Sequence, residues 1–185
     1  MIHKKILLSL CLCCCWLMTT AQLPQRQPVT PSKPSRVNSV FLGVSGGMSV
    51  PFSHIATTQS VGGFGQAEVF VFLTENITSG TNIAYHYFPR KKNYYNIDMW
   101  EVLINGAYHF NHSLNPHISL GLGYYGEPGT SHFGMVPGVG IMPKINNWFY
   151  IKARASASFF NIDGHFFKIE AGFAFMVFKH KPIAR

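Results

Sequence analysis

Three groups of residues in this sequence have side chains able to do chemistry. Glu101, Lys152, Arg154, Lys168 and Glu170 are charges set among apolar and small residues. If they share one narrow, low-dielectric interior they must pair and hydrogen-bond with each other, because an unpaired buried charge is strongly disfavoured. Such a set either passes protons or ions or fills the interior as a structural network. His109, His112, His117 and Ser113 offer bases and a nucleophile for hydrolysis. No acid lies near them in sequence, and Asn111 to Asn115 reads as a short turn, so they are read as turn histidines with a capping serine and no catalytic residue is assigned. The nine histidines show no His-x-x-x-His pair or other metal spacing, so neither a metal nor a cofactor is expected. Arg90, Lys91 and Lys92, followed by Tyr94 and Tyr95, are suited to pairing with phosphates beside an interface, or else form a solvated loop without a partner.

Which reading holds depends on the elements that position these residues. Met1 to Ala21 has the three-part build of a secretory signal: His3, Lys4 and Lys5, then an apolar run too short to span a bilayer as a helix, then Thr19-Thr20-Ala21. All four cysteines lie in that run, so the mature chain from Gln22 is expected to carry no thiol chemistry. Removal of Lys4 and Lys5 lowers the formal net charge from +8 to +6. The remaining cations do not gather on one face, so nucleic acid is not an expected partner. Residues 22–38 hold Pro24, Pro28, Pro31 and Pro34 among polar residues and read as an extended periplasmic linker.

From residue 39 onward no apolar run is long enough for a membrane helix, and alternation with period two recurs between Gly, Pro, Asn and Asp. Eight strands are predicted, at roughly 39–50, 62–74, 77–88, 97–110, 116–125, 133–142, 148–160 and 165–178. The first, third and fifth joins are longer than those between them, as outer loops are longer than periplasmic turns. In the seventh strand Phe149, Ile151, Ala153, Ala155, Ala157 and Phe159 oppose Tyr150, Lys152, Arg154, Ser156 and Ser158. In the eighth, Phe167, Ile169, Phe173 and Phe175 oppose Lys168, Glu170 and Gly172.

A soluble barrel binding an apolar ligand would turn the apolar face inward. Two features favour the inverse. Aromatics sit near strand ends on the apolar face, as an interfacial girdle would, and the other face is sparse in charge but rich in Gly, Ala and Ser, as a narrow interior would be. The fold expected is all-β: an eight-stranded, antiparallel, up-and-down transmembrane β-barrel. Eight strands enclose room for side chains and little else, so the five interior charges are taken as a structural lumen network and no large pore is expected.

The run Asn115 to Gly126, NPHISLGLGYYG, followed by Phe133 to Ile145, FGMVPGVGIMPKI, resembles strands of the OmpA/OmpX-like outer-membrane barrel family. Glu170 to Phe178, EAGFAFMVF, resembles that family's C-terminal signal read by the barrel-insertion machinery, although seven further residues, expected as a periplasmic tail, follow Phe178. The resemblance covers residues 39–178. It implies residence in the outer membrane among lipid and lipopolysaccharide, and a non-enzymatic envelope or loop-mediated binding role. The alternatives are a lipid-modifying enzyme of the same membrane and the soluble apolar-ligand barrel.

Overall fold

The computed structural model describes residues 36–52, 55–91, 95–127, 129–160 and 164–179. The expected signal, the linker as far as residue 35, Lys92, Tyr94 and the tail beyond Lys179 lie outside the described residues. No described helix is long and apolar enough to cross a membrane, which says nothing of strands.

Eight strands form one closed barrel: β1 (Ser39–Pro51), β2 (Gly62–Phe72), β3 (Ile77–Phe88), β4 (Ile97–His109), β5 (Pro116–Glu127), β6 (Thr130–Ile141), β7 (Phe149–Phe160) and β8 (Phe166–Lys179). Each pairs antiparallel with its sequence neighbour, and β1 pairs with β8 to close the cylinder. Closure leaves no strand edge unpaired, the condition for strands to stand in hydrocarbon. A register shift at Val40/Phe41 marks the β1–β8 seam near the rim that bears both strand ends.

Period-two alternation sets the faces. Leu42, Val44, Val69, Ile83, Val102, Ile104, Leu120, Leu122, Val139, Ile151 and Ile169 are all exposed on the outside of the cylinder. Tyr85, Tyr87, Trp100, Tyr124 and Phe133 ring that band near one rim, while Tyr108, Trp148 and Phe178 ring it near the other. The phenol of Tyr85 donates to Asp98 at 2.7 Å beside Trp100, at the level where an aromatic belt meets polar surroundings.

The inside is polar at its middle and aromatic at its ends. Near the strand-end rim Phe41, Phe70, Phe72, Met142 and Tyr150 pack together, with Phe41 stacked on Phe70 at 5.2 Å. Near the opposite rim Phe88, Met99, Leu103, Tyr125, Phe160 and Phe166 form a second plug, with Tyr125 edge-on to Phe160 at 4.1 Å.

Two sequence expectations need correction. The fifth join is not long: β5 and β6 run on until Glu127 pairs with Thr130, and Gly129, at φ 87°, supplies the left-handed turn residue. Thr130, Ser131 and His132 are strand residues because their pairing with Glu127, Gly126 and Tyr125 of β5 continues to the turn, although their polarity reads as a loop. His109 and His117 are not turn histidines either. They are cross-strand partners in β4 and β5, both buried, whereas His112 and Ser113 lie in the turn.

The longer connections tie to each other. The first contains a single helical turn, α1 (Ile55–Thr58), and Gln59 bridges to Arg90 of the third. The Ser60 amide donates to the Pro89 carbonyl at 2.8 Å, the Lys91 amide to the Thr58 carbonyl at 2.8 Å, and Lys91 Nζ to the Ala56 carbonyl at 2.6 Å. The β2–β3 pair is thus prolonged above the rim as one ribbon.

Candidate functional site

The lumen between the two aromatic plugs gathers the five charges singled out in the sequence and adds Glu68 and His86. Lys168, fully buried, donates to both oxygens of Glu101 at 2.8 and 2.7 Å. His86 Nε2 lies 3.4 Å from Glu101, and Asn82 donates to the same carboxylate at 3.4 Å. A second cluster joins Lys152 to Glu68 at 2.7 Å and to Glu170 at 3.0 Å, with Arg154 on Glu170 through Nε at 3.0 Å and Nη2 at 3.2 Å. Glu68, Glu101 and Glu170 balance Lys168, Lys152 and Arg154, so the described lumen charges sum to zero with the histidines neutral. That balance is what lets them be buried at all.

Backbone spacing makes room for this packing. A Cβ on Gly43 would lie 2.6 Å from Glu68 Oε1, so only glycine lets the carboxylate fold over β1. A Cβ on Gly140 would come within 2.8 Å of the His117 ring. Glu170, Arg154, Gly140, His117 and His109 form one continuous lumen-facing row across β8, β7, β6, β5 and β4.

Sequence reading missed Glu68 and His86. Glu68 sits on a strand whose inward positions also carry Phe64, Phe70 and Phe72, so the polar-in rule gave no contrast. His86 stacks on Phe64 at 5.1 Å and lies 5.1 Å from the Phe166 ring.

Ser49 Oγ is 3.1 Å from His86 Nδ1, which places serine, histidine and glutamate in the order of an acyl-transfer triad. All three are fully buried. The His86 ring is enclosed by Phe64, Phe88 and Phe166, whose centroids lie 5.1, 6.2 and 5.1 Å away, so the three polar groups face one another inside an aromatic shell. Among the described residues no three His, Cys, Asp or Glu side chains gather as a metal cluster. A recess of about 540 Å³ lies on the outside against Val102, Ile104, Leu122 and Tyr124. Inside, a cavity of about 40 Å³ lies among His109, His117, Met142, Lys152 and Arg154.

With plugs at both ends, the purified barrel is expected to give no large, steady conductance in planar bilayers. Single-channel recording checks this, and sustained openings would mean that the plugs do not seal.

Arg90 and Lys91 are both exposed on the loop ribbon, and the Gln59 side-chain amide donates to the Tyr95 carbonyl at 3.0 Å. Lys92 and Tyr94, the other two residues of this cluster, fall outside the described residues.

No protein-family model matches the sequence, and no curated protein matches it. Solved structures do. The chain is similar to Neisserial surface protein A, with a TM-score of 0.61 at 8% identity, over 74% of this chain and 96% of that one. It is similar to Ail of Yersinia pestis in complex with the heparin analogue sucrose octasulfate, with a TM-score of 0.56 at 10% identity, over 76% and 99%. It is also similar to the N-terminal β-barrel domain of Pseudomonas aeruginosa OprF, with a TM-score of 0.52 at 16% identity, over 76% and 98%. Fold and lumen together define the class: an eight-stranded barrel resembling the small outer-membrane barrels. Identities this low show the fold alone, and within that class no particular family is assigned.

Proposed function

We propose that this protein is a non-enzymatic barrel of the bacterial outer membrane, with an envelope structural or binding role set by its outer loops and without a large open pore. The observation that carries the reading is the inversion of polarity: exposed Ile, Leu and Val around the outside, and paired charges within. In water that surface would be an aggregation hazard; in hydrocarbon it is the favourable one. A membrane fraction that resists carbonate extraction is expected, and release of the protein by carbonate would return the soluble reading.

The lipopolysaccharide-facing surface is the cluster Arg90, Lys91, Lys92, Tyr94 and Tyr95, whose cations suit phosphate and whose tyrosines suit the interface. Support comes from the bracing of Lys91 against the first connection, which orders the ribbon before any ligand arrives. A barrel of the same fold has been solved with a sulfated sugar, a polyanion of related chemistry. The triple variant R90E/K91E/K92E is expected to weaken binding to lipopolysaccharide vesicles at low salt while leaving the barrel folded. Equal binding by variant and parent would sink the loop assignment. Insertion through the EAGFAFMVF segment is expected to involve the barrel-assembly machinery.

The alternative, a lipid-modifying enzyme, has the Ser49–His86–Glu101 chain in its favour and its burial against it. Lipid A from cells with and without the gene is expected to give the same mass spectrum, and a mass change that vanishes in S49A would favour the enzyme.

A further inference from the structure

We infer that His109, His117 and Met142 form a binding site for copper(I) inside the lumen, next to the strand-end plug. The inference does not rest on the loop reading above.

His109 and His117 are eight residues apart in sequence, a spacing with no metal signature, but the β4–β5 pairing sets them directly opposite each other. Their ring centroids are 5.0 Å apart, near enough for one ion to lie a typical metal–imidazole distance of about 2 Å from a nitrogen of each. Both residues are more than nine-tenths buried, at 3% and 7% exposure; the His117 ring meets the Asn115 backbone and has one nitrogen left for a ligand, while His109 Nδ1 has no hydrogen-bond partner among the described residues. Buried imidazole nitrogens are rarely left so. His109 Nε2 is 3.1 Å from Thr78 Oγ1. With the ring proton donated there, Nδ1 keeps its lone pair, the arrangement by which an outer partner orients a metal-binding histidine.

Both rings line the cavity of about 40 Å³, which has the capacity for one small ion or one water. Met142 lines the same cavity, and its backbone amide is fixed by the Leu114 and Asn115 carbonyls at 3.1 and 3.2 Å. Two neutral imidazoles and a thioether form a soft, uncharged donor set, and thioether ligands select copper(I). Charge disfavours any cation here and a divalent one most. Lys152 and Arg154 also line the cavity and are neutralised by Glu68 and Glu170, so the lumen has no surplus negative charge to receive a divalent ion. A single positive charge is the smaller burden.

The test is anaerobic titration of the purified full-length protein in micelles with copper(I), in competition with bathocuproine disulfonate. The thiols, all within residues 11–15, are first alkylated so that they take no copper. One copper per barrel is expected, with a sulfur neighbour in its X-ray absorption spectrum. H109A/H117A is expected to abolish binding, M142L to remove the sulfur neighbour, and T78V to weaken binding by about 10–100-fold with the ligands intact. H112A, in the adjacent turn, is expected to bind as the parent does. Heat-modifiable migration verifies that each variant is folded. Absence of copper from the alkylated parent, which would leave the cavity to water, overturns the proposal. So does copper retained at parental strength by folded H109A/H117A.

Discussion

Replacing Lys168 by methionine is expected to cost about 3–5 kcal/mol of barrel stability, the loss typical when one partner of a buried ion pair is removed. Lys168 is fully buried and holds both Glu101 oxygens within 2.8 Å, so the variant leaves a carboxylate in a closed lumen with His86, Asn82 and the Tyr125 hydroxyl nearby but no lysine to neutralise it. The methionine itself is tolerable there, since the side chain already lies against Phe64, with Nζ 5.9 Å from the ring centroid. The penalty therefore belongs to the orphaned Glu101. The double variant K168M/E101Q removes that charge and is expected to regain most of the loss. By contrast, R36A, which removes the more exposed Arg36–Glu75 pair at 4.0 Å, should cost at most about 1 kcal/mol of pairing energy. Urea unfolding in micelles, followed by tryptophan fluorescence, measures all three. A K168M loss below about 1 kcal/mol, or a double variant no more stable than the single, would mean that the pair carries no weight in the folded barrel.

That network also shows where sequence reasoning stops. The faces of β7 and β8 are legible because Phe149, Ile151 and Ala153 alternate strictly with Tyr150, Lys152 and Arg154, and a period of two leaves no other assignment once both faces are committed. β2 is less legible: Gly63, Gly65 and Ala67 point outward while Phe64, Phe70 and Phe72 point inward, so composition gives the faces no contrast and Glu68 escapes notice. Pairing partners are a further step away. Lys168 and Glu101 are 67 residues apart, and Lys152 and Glu68 are 84 apart. Their meeting is set by the stagger of the closed barrel, which a local pattern does not encode. The β5–β6 hairpin failed for a different reason. Its polar strand ends stand above the apolar band, where strand and loop have the same composition.

Ile104→Arg is expected to lower stability by about 2–4 kcal/mol in phospholipid vesicles, the cost of an arginine on the lipid face near the bilayer midplane. Ile104 is 67% exposed and lies on β4 midway between Trp100 and Tyr108, the two aromatics that mark the rims of the apolar band. Thr81 and Leu122 flank it on β3 and β5, and neither offers the guanidinium a counter-charge. An arginine at Tyr108 is expected to cost only about 0–1 kcal/mol, because it reaches the interface. This depth dependence is specific to a membrane. If water bathed this face, an exposed isoleucine on a strand could become arginine within about 0.5 kcal/mol, and position 104 would be no more sensitive than position 108. Urea midpoints for the two variants in the same vesicles decide the matter. Equal and small losses at both positions would remove hydrocarbon from the outside of the barrel, and with it the reason for its inverted polarity.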